Sequence, residues 1–393
     1  MTSINSNHKP GSNTDSECQY IDYRAVQDIA LGATFLGAGG GGDTYSTQLQ
    51  LKQLLQDGAA IKLIQPGDLG DNDLVAPCGW LGAPGVQKEK YPSGQEGAIG
   101  LDKLEDVMGA RVSAIMPIEI GGQNGITPFV LAAQRGVPVL DCDGMGRAFP
   151  HADMVTFNIY GCSASPAVVS DTHGNVVVLH SIDNQTLERL VRPLAVAMGG
   201  HCHLFDYPLS GKNAKRFCVP GTISLAWKIG RVMRESRENQ CNAFTALLDY
   251  LKTTEDYCHA FCLYQGKIID IERNFDGGFL VGRVTIVDPG RPEPLLLQFQ
   301  NEFIYARCGD AIVASVPDII AVLDQDMAHP ISTENLKYGQ RVRVVATSVP
   351  ALLRSDQALS FMGPEAFGLD FQYRPLEALN ASSEQQQDVK PQP

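Results

Sequence analysis

Three glycine-loosened stretches carry the residues best equipped for chemistry. Residues 141–150 read DCDGMGRAFP, which packs Asp141, Cys142, Asp143 and Arg147 into seven positions around Gly144 and Gly146, with His151 next. Carboxylates, a guanidinium and an imidazole in one loop are what proton transfer and stabilisation of an oxyanion require. The competing reading is structural: Asp141 or Asp143 caps a turn and Arg147 pairs with it. Residues 117–128, PIEIGGQNGITP, offer Glu119, the Gly121-Gly122 pair, Gln123 and Asn124. The third stretch, Gly37 to Asp43, reads GAGGGGD. Glycine loses more backbone freedom on folding than any other residue, so a run of them implies that bare backbone is needed there. Gly39, Gly40, Gly41 and Gly42, opening onto a helix headed by Asp43, can present amides to a phosphate, a carboxylate or a ring oxyanion. A helix C-cap followed by a tight turn explains them equally. A nucleotide loop fits less well, because a helical segment precedes the glycines and the Lys-Ser/Thr of a P-loop is absent.

The elements around these stretches decide whether they can meet. Val26, Ile29, Ala30, Ala33 and Phe35 give residues 24–36 an apolar helical stripe, and Leu49, Leu51, Leu54 and Leu55 do the same after the glycines, with Asp43 as N-cap. Val112 to Met116 reads as a buried strand, Thr127 to Arg135 as a helix and Val137 to Leu140 as a second buried strand. Such a βαβ unit makes the strands parallel, and ligands bind beyond the carboxyl ends of such strands. That rule selects residues 117–128 and 141–150. Ala167 to Leu179 reads as a hairpin turning at His173-Gly174-Asn175, and Leu187 to Met198 as a helix ended by Gly199-Gly200. His201 and His203 alternate and would share one strand face. Short β-rich runs separated by Gly, Pro and Asp turns fill residues 261–350.

The fold class expected is an α/β N-terminal domain with a partly parallel sheet, followed by a β-rich α+β C-terminal domain. The boundaries expected are a disordered arm at 1–23, the α/β domain with its glycine loop at 24–166, an α+β domain at 167–378 containing the mainly β module, and a disordered tail at 379–393. A charged loop, residues 88–100, is expected to be mobile. With 393 residues there is chain enough for two domains. The formal charge of -13 disfavours nucleic acid as a partner. No run of 18 apolar residues and no export signal is present, so neither membrane insertion nor secretion is expected and the location expected is cytoplasmic. Ten scattered cysteines without a CxxC pair read as reduced thiols, mostly small core residues.

The run GATFLGAGGGGDTY, EIGGQN, DCDGMGRAFP, NEFIYA, VPDII, HPISTENLKYGQRVRV and GPEAFG, in that order, resembles the S-methyl thiohydantoin desulfurase family over about residues 24–376. Its genes commonly neighbour ATP-dependent hydantoinase/oxoprolinase subunits. The resemblance implies two domains and action on, or beside enzymes of, five-membered cyclic ureides and thioureides. It carries Gly37 to Asp43, Glu119, Asn124, Asp141, Asp143, Gly144, Arg147 and His151 into the site. His151 stands just after GRAFP, where acidic residues are common in the family.

The expected chemistry is hydrolysis at an sp² ring carbon, releasing a thiol or opening the ring. Asp143 or Asp141 is then the base and the other carboxyl the acid, while Arg147 and the glycine-loop amides steady the developing anion. Asn124 and Glu119, with Gly122 and Gly144 beside them, meet the N–H and C=O groups of the ring. A non-catalytic binding or assembly subunit for a hydantoinase/oxoprolinase-type partner is the alternative. No cofactor is expected; a divalent metal stays open, with Asp141/Asp143 and the His201/His203 pair as candidate ligands, and so does a homo-oligomer.

Overall fold

The computed structural model describes residues 19–82, 85–86 and 90–387. Most of the expected arm (residues 1–18), Lys88 and Glu89 of the expected charged loop, and the last six residues of the expected tail lie outside them.

The first sheet is built by alternation of strand and helix. Strand β1 (Gln19–Tyr20) leads into helix α1 (Tyr23–Leu36), followed by α2 (Tyr45–Gln56), β2 (Lys62–Ile64), β3 (Leu74–Gly82), α3 (Glu96–Met108), β4 (Val112–Pro117), α4 (Thr127–Arg135) and β5 (Val139–Leu140). Residues 19–23 therefore belong to the fold, not to an arm, because Tyr20 pairs with Lys62 and Ile21 is buried. Asp22 starts α1 by accepting the Ala25 N–H at 2.7 Å. The expected βαβ unit is present: Ile115 on β4 pairs parallel with Val139 on β5, and Gly136, at φ +68°, ends the helix between them.

The chain continues through β6 (Cys142–Asp143), α5 (Thr156–Ile159), the hairpin β7 (Ala167–Ser170) and β8 (Val176–Leu179), α6 (Asn184–Ala197), β9 (His201–Phe205), β10 (Leu209–Ser210), α7 (Gly211–Phe217), β11 (Val219–Pro220), α8 (Thr222–Glu238) and α9 (Ala243–Leu251). The strand order is β1-β2-β5-β4-β3-β9-β7-β8, with β10 also on β3. Strands β2, β5, β4 and β3 run parallel, whereas β9, β7 and β8 extend the sheet antiparallel. The sheet thus runs through the boundary expected at residues 166/167. Long sequence separation hid this, because β9 finds β3 only in three dimensions.

The second sheet is antiparallel throughout and curls into a half-barrel. It comprises β12 (Ala260–Asp276), β13 (Phe279–Val287), β14 (Leu295–Gln300), β15 (Glu302–Cys308), β16 (Ala311–Ser315), β17 (Ile319–Asp324) and β18 (Arg341–Thr347), in the order β16-β15-β14-β13-β12-β18-β17. Alternation explains it: Leu295, Leu297 and Phe299 are buried while Leu296, Gln298 and Gln300 are half-exposed. Helix α10 (Asp356–Met362) follows, then α11 (Leu376–Gln387), so the first part of the expected tail is helical. Leu376 is fully buried and Asn380 donates to the Val313 carbonyl at 3.1 Å, which docks that helix on the half-barrel. Ile304, Val316 and Ile319 of the half-barrel join the core of the first sheet, so apolar packing is continuous across the seam.

Candidate active site

A cavity of about 80 Å³ opens where the carboxyl ends of β3 and β4 meet the start of β15. It has room for about six waters, or one small ring with its substituents. Gly41, Gly42, Glu119, Asn124 and His151, all expected from sequence, line it, as do Trp80, Phe149, Arg192, Asp206 and Glu302.

Glu119 follows the end of β4 by two residues. Its Oε1 accepts from Asn124 Nδ2 at 2.7 Å and its Oε2 from the Phe149 N–H at 3.2 Å. Asn124 is itself locked to β3, accepting the Trp80 N–H at 2.7 Å and donating to the Trp80 carbonyl at 3.2 Å. Its amide is therefore spent on protein partners, and it positions Glu119 instead of reading a ring. Burial pushes the Glu119 carboxyl up to about 7 against the pull of Asn124 and the Phe149 N–H.

Two further carboxyls complete the cavity, and neither was singled out from sequence. Glu302, the first residue of β15, is 3% exposed, and its Oε2 has no hydrogen-bond partner among the described residues. Burial and then the charge of Glu119 hold it well above the ordinary carboxylate range. Asp206, just past β9, is 2% exposed with both oxygens unpartnered among the described residues, and burial pushes it up to about 8. Burial thus favours the protonated form of both. The sequence signal was present for Glu302, which lies in NEFIYA; Asp206 lies three positions beyond His203 with nothing to mark it.

His151 lies at the mouth. Gln300 Nε2 sits 3.1 Å from His151 Nε2, leaving Nδ1 to face Glu188 Oε1 at 3.6 Å. Glu188 also accepts from Arg192 Nε at 2.6 Å, and Arg192 donates to the Pro150 carbonyl at 2.6 Å. Phe279, at the start of β13, covers both, 4.7 Å from the His151 ring and 4.7 Å from the Arg192 guanidinium. The opposite wall is aromatic: Trp80 stacks on His201 at 4.4 Å and meets His203 edge-on at 5.3 Å. Both histidines do share one strand face, but burial pushes each down to about 3.

The remaining expected residues lie off the cavity. Asp143 is wholly buried; its carboxyl accepts the Ile120 N–H at 2.8 Å, Met145 N–H at 3.2 Å and Gly146 N–H at 2.8 Å, and burial pushes it up to about 7 against these donors. It folds the loop around itself and faces no opening. Asp141 accepts from Ser224 Oγ at 2.5 Å, Ser224 N–H at 3.0 Å and Gln65 Nε2 at 3.1 Å, tying β5 to the start of α8. Neither aspartate, where the base was expected, lines the cavity.

Arg147 is fully buried and donates to carbonyls across the seam: Asp318 at 2.7 Å, Pro317 at 3.2 Å and Phe303 at 3.2 Å, as well as Ala148 at 2.9 Å. Burial draws it down to about 10, so it stays charged. It pins the two sheets together and lends positive potential to Glu302 and Glu119 without reaching the cavity.

The glycine loop resolves mainly as a seam. Its carbonyls reach the neighbouring segments: Ala38 O accepts the Phe303 N–H at 2.8 Å, Gly39 O the Thr333 N–H at 2.9 Å, Gly41 O the Asn124 N–H at 3.4 Å and Gly42 O the Gln123 N–H at 3.2 Å, while the Gly40 N–H closes the turn onto the Gly37 carbonyl at 2.8 Å. A Cβ on Gly40 would stand 1.8 Å from Glu302 Oε1, so the bare backbone makes room for that carboxyl. Only Gly41 and Gly42 reach the cavity. Gly39 and Gly40 pack against the half-barrel, Gly122 donates to the Ala33 carbonyl at 2.8 Å and Gly144 to the Ile118 carbonyl at 3.0 Å. Asp43 accepts the Tyr45 N–H at 2.9 Å as α2 begins and faces a separate cleft beside Arg234. Thr44, not Asp43, holds the N-cap position.

Among the described residues, no three His, Cys, Asp or Glu side chains converge so as to hold a metal ion. None of the helices among them is long and apolar enough to cross a membrane.

Residues 24–181 match the family model described as S-Me-THD-like, N-terminal domain, and residues 182–376 match S-Me-THD-like, C-terminal domain. A solved X-ray structure of a protein from Chromobacterium violaceum is similar at TM-score 0.76 with 21% identity, covering 91% of this chain and 100% of that one, which establishes a shared fold. No curated protein matches the chain.

Proposed function

Because the chain belongs to the S-Me-THD-like family, we propose that it hydrolyses a thiohydantoin-like five-membered ring at the carbon that carries sulfur. One arrangement carries this reading: two buried carboxyls, Glu119 and Glu302, share the cavity, and burial raises both, Glu119 to about 7 and Glu302 well above the ordinary carboxylate range. A base must be ionised and an acid protonated at the same pH, and environments that push two carboxyls apart supply both.

In the S-methylated ring, Glu119 takes a proton from water as its oxygen bonds to the ring carbon. Glu302 then gives its proton to the departing sulfur as the C–S bond breaks. The product carbon becomes a carbonyl, and the balance is substrate plus water to hydantoin plus methanethiol. The ring nitrogen, which received the C=N pair as oxygen added, takes the proton from Glu119 and so resets the base, and loss of the added oxygen's second proton resets the acid. Arg147, charged behind both carboxyls, limits the cost of anion build-up. The Gly41 and Gly42 backbone and the Trp80 ring give a planar ligand one polar and one flat apolar wall. His151, 31% exposed on its side chain and facing Glu188, stands between the cavity and bulk water.

The test is mass spectrometry of the purified protein with S-methyl thiohydantoins, hydantoins and oxoproline. Thiol and hydantoin formed together support the reading. Binding without any product favours the assembly-subunit alternative.

A further inference from the structure

Asp206 is the one buried carboxyl of the cavity that the hydrolysis above does not use. It follows Phe205, which pairs with Cys78 on β3, so a rigid sheet holds it. Both oxygens point to no protein donor among the described residues although the residue is 2% exposed and lines the cavity. A buried polar group left without a partner costs on the order of 1–3 kcal/mol, so whatever fills the cavity is expected to satisfy it.

The chemistry of a neutral carboxyl defines that occupant. It presents one O–H donor and one C=O acceptor side by side. The complementary edge is an N–H adjacent to a C=O within a ring, where the O–H donates to the ring carbonyl while the carboxyl oxygen accepts the ring N–H. The groups around Asp206 keep it neutral: burial is the first cause and the charge of Glu188 the second, while burial pushes up both the Cys78 thiol and the Tyr207 hydroxyl nearby.

We infer that Asp206 is a specificity residue that reads the N–H/C=O edge of the ring, so that the protein takes cyclic lactams and ureides with an unsubstituted nitrogen at that edge and rejects N-alkylated ones. The inference rests on the heterocycle reading of the same cavity. It adds which ring edge is recognised and by which residue, and leaves the sulfur-bearing carbon for Glu119.

Calorimetric titration of hydantoin and of hydantoin methylated at the nitrogen between its two carbonyls tests it on three proteins: wild type, Asp206→Asn and Asp206→Leu. Wild type is expected to bind the N–H ring at least about tenfold more tightly. Asp206→Asn is expected to keep that preference, because a carboxamide offers the same donor and acceptor, and Asp206→Leu to lose it. Raising the pH through 8 erodes the preference in wild type and leaves Asp206→Asn flat, a readout that decides the matter should Asp206→Leu not fold. Equal affinity of wild type for both rings, or a preference retained by Asp206→Leu, overturns the inference. Turnover without N–H discrimination overturns it and leaves the hydrolysis standing; N–H-selective binding with no thiol released does the reverse. No binding of either ring overturns both.

Discussion

Asn124 Nδ2 lies 2.7 Å from Glu119 Oε1, and the same amide holds the Trp80 backbone at its other end. The proposed base is therefore anchored to β3, one strand away from its own. Replacing Asn124 by Leu removes a donor that favours the ionised form, so the Glu119 pKa rises. The acid limb of the kcat/KM profile is expected to move to higher pH, with a loss of about tenfold at pH 7. A pH profile of the variant checks this; an unmoved limb would detach Asn124 from the base.

Adjacent glycines should fail in different ways. In Gly40→Ala the new methyl meets the end of the Glu302 side chain at 1.8 Å, which can swing aside. Turnover is expected to fall by about a hundredfold with a small change in Tm. In Gly41→Ala the methyl meets the Gly121 carbonyl oxygen, a backbone atom, at 2.3 Å, and φ is +79°. That variant is expected to lose about 2–4 kcal/mol of stability, read from a denaturant titration.

Arg147 joins the sheets through buried carbonyls, and nearby Glu302, Asp318 and Glu119 hold its pKa up against burial. Arg147→Met keeps the length but strands several carbonyl oxygens, and is expected to cost about 3–5 kcal/mol. Its unfolding midpoint and its activity should fall together, since the seam also forms the cavity wall. A stable but inactive variant would instead mark Arg147 as a residue that acts on the ring.

What could be read from sequence follows from the range of the interactions involved. The βαβ unit and the hairpin at His173-Gly174-Asn175 rest on local periodicity and turn chemistry, and both are in place. The two glycine-loosened loops at the sheet edge do converge, but of their polar residues only Glu119, Gln123 and Asn124, with His151 just beyond, reach the cavity. Residue type cannot show whether backbone amides already wrap a carboxylate, which is why Asp143 resembled a base. Glu302 and Asp206 come from segments 183 and 87 positions beyond Glu119. Their meeting depends on the pairing of β9 with β3 and on docking of the half-barrel, which no local pattern encodes.

Stability should depend on pH in a direction set by the same burial. Glu119 and Asp143 near 7, Asp206 near 8 and Glu302 above the ordinary range all hold protons that the unfolded chain releases near 4. Their contribution is complete below the unfolded value and disappears as pH rises through the folded one. His201 and His203, pushed down to about 3, act oppositely but only below their unfolded value of 6.5. Between pH 6.5 and 8 the carboxyls act alone, so the Tm of the ligand-free protein is expected to fall. Glu119→Gln should flatten that slope, and a Tm rising over this window would contradict the assignment.

The central claim is that Glu119, not the aspartate loop, activates water. The most direct measurement is the initial rate of methanethiol release from an S-methyl thiohydantoin by wild type, Glu119→Gln and Asp143→Asn at pH 7, each normalised to folded protein. The account expects Glu119→Gln to lose about 10²–10⁴-fold and Asp143→Asn to lose mainly stability, keeping its rate per folded molecule within about tenfold. A Glu119→Gln protein as fast as wild type, or an Asp143→Asn protein that folds normally and is inert, would contradict it.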